Sequence, residues 1–459
     1  MHKLILYITA LTLFTACSGT RNLAQPDLQL PETIGGATDS LTVADMAWWD
    51  FYTDPTLQII ISRTLEHNRD LLVAAERVNE LQQLYGVEKL NYAPTVNALV
   101  GGLRETNDYA NEKFVGDTEL SVKATLNWEI DLWGGLSASK RKAAATYMAS
   151  VEDKRAMEMT LIAEAATAYF NLVALQNELN IVRQTLSTRQ QALDKALLRF
   201  EGGMTSEIVY QQAKVEYATT AALVPGLVRR MTLAQNAISL LMGEFPQGQI
   251  DPANSVLDEN LPQRLPTGVP STLLERRPDI RAAEQRLKGA LAGVGVAYSN
   301  QFPRLRIGIT GGWENDEVKN IFSSPFSYLI GNITGTVLDF GRNRRKYKAS
   351  IAAYNQARYT YEKTVLAAFT ETENAVVTYR EMQNTAQKRA ELRDAAMKYV
   401  NLANKQYIAG SINYIDVLDA HRRYFDAQIS LSNAVRDEYL ALVTLYKALG
   451  GGWNNPQPQ

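Results

Sequence analysis

The chain has almost no cysteine and very little histidine: among 459 residues there is one thiol, Cys17, and three imidazoles, His2, His67 and His421. That excludes a disulfide framework and a Cys/His metal cage. Glycine (28) and proline (15) are scarce, together below the roughly 12 per cent usual for globular proteins, which favours long uninterrupted elements. Charge of either sign is not in excess, since 47 Lys and Arg against 49 Asp and Glu leave a formal net charge of -2. No basic field exists to draw in nucleic acid. Phosphate loops of the Gly-Lys-Thr/Ser kind, His-Glu-x-x-His and Gly-x-Ser-x-Gly are all missing, so the chain reads as a protein without catalytic machinery. Past the N-terminus no stretch reaches the roughly 18 apolar residues of a spanning helix, so any membrane crossing falls to strands.

What is present begins with an address. His2 and Lys3 precede an apolar run from Leu4 to Phe14, followed by Thr15 and Ala16 directly before Cys17. This reads as a secretory signal, because eleven residues rise only about 16 Å against a hydrocarbon core of roughly 30 Å. Phe14-Thr15-Ala16-Cys17 resembles a bacterial lipoprotein box, with Phe14 in place of the usual Leu or Val. The resemblance implies a lipid on the Cys17 thiol, no other cofactor, and, with Ser18 next, sorting to the outer membrane.

The chain is written twice. Asn68-Arg69-Asp70-Leu71 aligns with Arg277-Pro278-Asp279-Ile280, and the same offset pairs Arg77 with Arg286, Asn91 with Asn300 and Pro94 with Pro303. From Leu132-Trp133-Gly134 against Asp339-Phe340-Gly341 a second offset runs through Gly203 with Gly410 to Gly243 with Gly450. A period this long is a duplicated half and not a solenoid repeat of about 20–50 residues.

Each half holds one long stretch with neither Gly nor Pro, between Gly135 and Gly202 and between Gly341 and Gly410. Leu161, Ala165, Ala168, Leu172, Leu175, Leu179, Val182 and Leu186 alternate by four and three, which predicts a coiled-coil seam. Such a helix is about 100 Å long, whereas a compact chain of this size has a radius of gyration of about 22 Å. The expectation is a rod in which each helix turns back at Glu201-Gly202-Gly203-Met204 or Ala409-Gly410-Ser411, with Pro225 bending the first return helix but Ser432 leaving its counterpart straight.

Four strands are expected between the helices. From Glu119 to Leu132 apolar and polar residues alternate without error, and Arg304 to Ile309 repeats the pattern; weaker strands lie near Thr95 to Leu103 and Tyr328 to Leu338. Polar loops, Arg104 to Thr118 and Glu314 to Ser324, join them in pairs. A half-buried sheet of a soluble protein would give the same alternation. Four strands cannot close a membrane barrel, which needs about eight or more, so a membrane role requires two copies or three. The chain then divides into a signal segment 1–16 and an N-terminal lipid-anchored and equatorial segment 17–67. A first repeat, 68–261, has its β-hairpin at 95–132 and its helical hairpin at 134–243. The second, 262–453, has them at 304–339 and 341–449, and a tail covers 454–459.

Trp48-Trp49-Asp50-Phe51 before Asp54-Pro55, the block from Val269 through Pro270-Ser271-Thr272-Leu273-Leu274-Glu275-Arg276-Arg277-Pro278-Asp279 to Glu284, and the ending Leu445 to Trp453 resemble the TolC-type outer membrane factors. The likeness is to their lipoprotein branch, the outer membrane channels of tripartite multidrug efflux systems. It implies a mainly α protein with a β-barrel portion: a homotrimer whose twelve-stranded barrel continues into a twelve-helix periplasmic tunnel. It also implies a periplasmic adaptor gripping the hairpin tips, an inner-membrane transporter of the resistance-nodulation-division class, outer membrane lipid around the barrel, and passive exit of drugs or other small molecules.

By the same resemblance the helix after the second tip, Tyr414 to Arg422, lines the narrow periplasmic end, with Ile415, Asp416, Asp419 and Arg422 as pore and gate residues. Asp416 and Asp419 share one helix face, and threefold symmetry would stack them into carboxylate rings that favour cations. An exposed ion pair between Asp419 and Arg422 is the plainer alternative. The tips Gly202, Gly203, Met204, Thr205 and Gly410, Ser411, Ile412 are helix-helix turns and, on the family pattern, adaptor contacts. Protein-secretion relatives resemble the chain at Tyr407 but carry Arg and Asp where it has Ile412 and Val209, so their charged latch is not expected here. Two other readings stand beside the channel: a non-conducting coiled-coil scaffold, and a copper or silver channel, for which only Met157 and Met159 are closely spaced among the methionines.

Overall fold

The computed structural model describes residues 23–26, 28, 31, 33, 42–107, 115–246, 250, 257, 265–266, 270–335 and 338–453. The signal segment, Cys17 and the tail 454–459 lie outside them. The labelled elements are α1 (Pro55–His67), α2 (Arg69–Leu90), β1 (Thr95–Asn107), β2 (Val115–Ile130), α3 (Gly135–Glu201), α4 (Glu207–Ala221), α5 (Leu223–Leu241), α6 (Pro278–Ser299), β3 (Arg304–Asn315), β4 (Pro325–Thr334), α7 (Arg342–Ile408) and α8 (Tyr414–Ala448). The protein is mainly helical with one four-stranded sheet, and α3 and α7 each run 67 residues without interruption. No described helix is long and apolar enough to cross a membrane.

The duplication is visible in the element bounds. Helices α2 and α6 are both 22 residues long, and α3 and α7 both end in the same turn. At the first, Gly203 has φ 70° and the Met204 N–H donates to the Arg199 carbonyl at 2.8 Å; at the second, Gly410 has φ 73° and the Ser411 N–H donates to the Gln406 carbonyl at 2.9 Å. Both are left-handed glycine caps that satisfy the last free carbonyls of a helix. The starts repeat as well: the Asp131 carboxylate accepts from the Leu136 and Ser137 N–H groups, and the Asp339 carboxylate from those of Gly341 and Asn343. Those backbone hydrogen bonds hold the Asp339 carboxyl below its ordinary pKa. The return helices differ. The first is broken at Ala222, three residues before Pro225, whereas α8 passes Ser432 unbroken for 35 residues.

The chain packs as two units, each built from three separated stretches. One comprises the described parts of 1–28, 76–151 and 282–363 and contains the sheet. Its order is β1-β2-β3-β4, antiparallel throughout. The register places Val96, Ala98 and Val100 beside Leu126, Ala124 and Val122, then Ile309 and Trp313, then Leu329 and Pro325. One face is therefore apolar across all four strands. The other carries Lys123, Thr125, Asn127, Glu129, Arg304, Arg306 and Thr310, together with Leu99 and Leu103 of β1 and Phe326, Tyr328 and Ile330 of β4, so its polar character lies mainly in β2 and β3; Arg306 pairs with Glu129 at 3.1 Å and the Thr125 and Thr310 hydroxyls meet at 3.1 Å. β1, β2 and β3 are longer than the alternation predicts, since β1 reaches Asn107, β2 starts at Val115 and β3 extends past Ile309 to Asn315, whereas β4 begins at Pro325, before the expected Tyr328, and ends at Thr334, short of the expected Leu338. The ladder continues through Gly311 and Gly312 because backbone pairing with β2 and β4 needs no side chain. Of the second expected loop, Val318–Ser323 is a 3-10 turn.

The second unit comprises the described parts of 29–75, 152–281 and 364–459. Its core gathers Leu57, Ile61, Leu172, Ile238, Leu273 and Leu445 around Tyr169 and Tyr446, each buried aliphatic side chain contributing about 1.5–3 kcal/mol. The seam of α3 is buried along its length, Ala165 and Leu172 in this core and Leu179 and Val182 in a second cluster with Leu227; Leu161 is buried too, while Ala168, Leu175 and Leu186 are half-buried. Helix α1 is started by Asp54, whose Oδ1 accepts from the Thr56 and Leu57 N–H groups, while its Oδ2 accepts the Tyr169 hydroxyl at 2.7 Å.

Gly243 ends α5 with φ 69°, and a β-carbon there would stand 2.3 Å from the His67 carbonyl oxygen, whereas Gly203 (φ 70°) has open space. Gly203→Ala is expected to cost the roughly 1–2 kcal/mol of a left-handed non-glycine residue, and Gly243→Ala distinctly more. Thermal melts followed by circular dichroism check the order; equal shifts would contradict the clash.

Candidate functional site

The two tips lie in the second unit. Gly202, Gly203, Met204, Gly410 and Ser411 are exposed, and Thr205 and Ile412 half-buried. Met204, Ile208 and Ile408 hold large apolar side chains in the open, at 69%, 68% and 85% exposure. Ile412 packs with Tyr407 and Tyr414 against Val400, Ala403, Val417 and Ala420, so the place where a charged latch was not expected holds an apolar plug. A polar tie does join the first hairpin to the second nearby, with Arg199 Nη1 donating to the Tyr407 hydroxyl at 3.2 Å.

Helix α8 begins just past the second tip. Asn413 and Asp416 form a capping box, in which the Asn413 N–H donates to Asp416 Oδ2 at 3.0 Å; Asp416 is thus occupied in starting its own helix. Ile415 is 57% exposed. The expected alternative pairing of Asp419 with Arg422 is not what the structure holds. Asp419 accepts from Arg423 Nε at 2.8 Å, one residue further on, where an i,i+4 geometry aligns the two side chains. That bond holds the Asp419 carboxyl below its ordinary pKa. Arg422 turns the other way, to Glu216 on α4, donating from Nε at 2.6 Å and from Nη2 to the same Oε1.

Glu216 is the residue that sequence reasoning missed. Its side chain is only 8% exposed, and Oε2 faces Arg189 Nη1 of α3 at 3.0 Å. Arg189 also donates to the Glu216 carbonyl at 2.9 Å and to the Thr220 hydroxyl at 2.5 Å. One carboxylate therefore binds two guanidiniums, one from its own hairpin and one from the other. Burial pulls the Arg189 pKa down and Glu216 partly restores it, while the hydrogen bond to Glu216 raises that of Arg422. The signal was available: Ala213, Glu216 and Thr220 form the buried stripe of α4, so a carboxylate stood where the helix period calls for an apolar side chain.

Beside this clamp lies a cavity of about 470 Å³ lined among others by Lys195, Tyr407, Tyr414, His421 and Phe425. Burial, then the Arg189 charge, push the His421 imidazole below its ordinary pKa and favour its neutral form. Among the described residues no group of three or more His, Cys, Asp or Glu side chains is placed to hold a metal ion. Of the two neighbouring methionines, Met159 is buried and Met157 half-buried.

The chain is similar to known proteins over most of its length. The family model described as outer membrane efflux protein matches residues 60–244 and again 269–451, one match for each half. The chain is 31% identical over 423 residues to the toluene efflux pump outer membrane protein TtgF of Pseudomonas putida, covering 91% of this chain and 87% of that protein. It is 28% identical over 457 residues to outer membrane protein OprJ of Pseudomonas aeruginosa, covering 97% and 95%. Among solved structures, the outer-membrane channel OprN superimposes with a TM-score of 0.86 at 27% identity, covering 94% of this chain and 99% of that one.

Glu216→Gln removes the shared charge from a buried pair, expected to cost roughly 3 kcal/mol. Arg422→Gln, with a side chain 55% exposed, should cost no more than about 1 kcal/mol. The glutamine at 216 is therefore expected to lower the melting temperature more; the reverse order would remove Glu216 from the centre of the clamp.

Proposed function

As a member of the outer membrane efflux protein family, the chain is an outer membrane channel of an efflux pump, and we propose that three copies close its sheet into a twelve-stranded barrel continuous with a twelve-helix periplasmic tunnel. The observation that carries this reading is the four-stranded sheet with one apolar face and, among the described residues, an unshared edge at β1 and at β4. Three strands have 12–16 residues and the fourth 10, enough to cross a bilayer at a tilt, for which about 9–11 are needed.

In this reading residues 1–16 are removed on export and Cys17 carries the lipid that holds the N-terminus at the membrane. A periplasmic adaptor docks on the tips, through Met204 and Thr205 on the first and Ser411 and Ile412 on the second, with Gly202, Gly203 and Gly410 shaping the turns. An inner-membrane transporter of the resistance-nodulation-division class supplies cargo, and the channel itself passes it on without chemistry. Toluene, named for one relative, is the kind of small apolar compound such a conduit admits.

The gate is assigned to the start of α8. Ile415, exposed in the single chain, would meet its copies across the axis. Asp419 offers a carboxylate that stays ionised, and Asp416 one that also caps its helix. Arg422 acts as a positioning residue, tying this helix to Glu216 of the first hairpin.

Single-channel recording in planar bilayers tests the assignment: discrete conductance is expected, and a coiled-coil scaffold would give none. Asp416→Ala with Asp419→Ala is expected to reduce cation preference severalfold, read as a smaller reversal potential in a salt gradient; an unchanged potential would take both side chains out of the lumen. Cys17→Ser is expected to abolish acylation, measured as loss of labelled palmitate, and a variant still acylated would overturn the lipid assignment.

A further inference from the structure

Where the strands hand over to the long helices, the first unit concentrates positive charge with few partners among the described residues: Arg342 acts on the Asp339 carboxylate, Arg141 donates to the Ser137 hydroxyl and Lys140 lies over the Tyr92 ring. Arg342, Arg344, Arg345, Lys346 and Lys348 occupy five of seven positions at the start of α7, all exposed. No Asp or Glu occurs between Phe340 and Tyr361. The matching start of α3 carries Lys140, Arg141 and Lys142, with no acidic residue before Glu152.

Helix stability does not account for these eight side chains. A helix start already bears partial positive charge, so cations there cost free energy where anions would contribute it. Two backbone N–H groups at each start are moreover taken by Asp131 and Asp339. The charge is thus a property of the side chains and is not the dipole of a bare helix end. A local rule broken this consistently in two places points to something outside the chain.

A cavity of about 760 Å³ gives that charge a shape. Lys142 of α3, Arg304 of β3 and Lys346 of α7 line it together with Asn300, Asn343 and Phe302. Arg304 is shared, since it also approaches Glu129 at 3.5 Å and donates to Asn300 Oδ1 at 2.9 Å; neither lysine has an ion pair among the described residues. Beside the cavity Phe302 stacks on Trp133 with ring centroids 4.7 Å apart, and Trp133 Nε1 donates to the Pro303 carbonyl at 2.7 Å. Aromatic rings of this kind mark the level of a membrane interface. Clustered Lys and Arg immediately beyond such a level attract anionic lipid.

Resting on the barrel reading above, we propose that this cavity at the foot of the sheet binds the phosphate headgroup of an anionic phospholipid of the periplasmic leaflet. Lys142 and Lys346 supply charge, Asn300 and Asn343 supply hydrogen bonds, and Phe302 receives the root of an acyl chain. The eight cations together form a basic collar that sets the depth at which the sheet sits in the bilayer.

Native mass spectrometry of the channel released from detergent, with added dioleoylphosphatidylglycerol or dioleoylphosphatidylcholine, tests this. Wild type is expected to retain phosphatidylglycerol at least fivefold over phosphatidylcholine, and Lys142→Gln with Lys346→Gln to bring the ratio within twofold. The arginine pair, Lys142→Arg with Lys346→Arg, is expected to keep the preference and covers a glutamine pair that does not fold. Equal retention of both lipids by wild type, or an undiminished preference in the glutamine pair, overturns the proposal. Displacement of the lipid by millimolar inorganic phosphate would do so too, because the cavity would then be a site for free anions. Conductance of the same preparation in phosphatidylcholine bilayers separates the two levels: if it is present, a negative lipid result removes the headgroup site alone, and if it is missing the channel reading fails first.

Discussion

A sheet edge cannot be left open in hydrocarbon, and most of this protein follows from that constraint. β1 pairs only with β2 and β4 only with β3 among the described residues, so each outer strand presents a row of backbone N–H and C=O groups without partners. Each such group buried in lipid costs several kcal/mol. In water that edge would be a liability; in the proposed assembly it is where a second copy of the chain would continue the sheet. The apolar face that runs unbroken from Val96 to Leu329 turns the same sheet toward lipid, and the opposite face, with its Arg306–Glu129 pair, toward water.

Duplication supplies the elements, and departures from it supply the chemistry. The glycine turns at Gly203 and Gly410, the carboxylate caps at Asp131 and Asp339 and the terminal glycines Gly243 and Gly450 recur in both halves because each solves the same backbone problem twice. The charges near the tips do not recur. The position of Glu216 corresponds to Arg423 in the second half, and that of Arg422 to Val215 in the first. Only an asymmetric arrangement lets a carboxylate of one hairpin bind an arginine of the other, so the clamp ties unlike partners.

Much of this was legible in the sequence, for physical reasons that can be named. The helices were readable because helix breakers are absent from residues 136–201 and 342–409, and the seam because its burial follows the period of an α-helix. The strands were readable where side chains alternate, from Leu120 to Ile130, and not where Gly311 and Gly312 carry the ladder without side chains. The tip turns announced themselves through glycine. Partners of charged side chains were harder: Asp419 can reach residue 422 or 423 on its own helix, and only the fixed rotation of α8 against α4 sends Arg422 to Glu216 and leaves Arg423 for Asp419.

The claim on which the rest stands is that the sheet is one third of a closed ring. Single-particle imaging of the detergent-solubilised channel measures this directly. The account predicts particles with threefold symmetry and twelve strands around one lumen, four from each copy. Particles containing a single chain, or two chains closing eight strands, would contradict it.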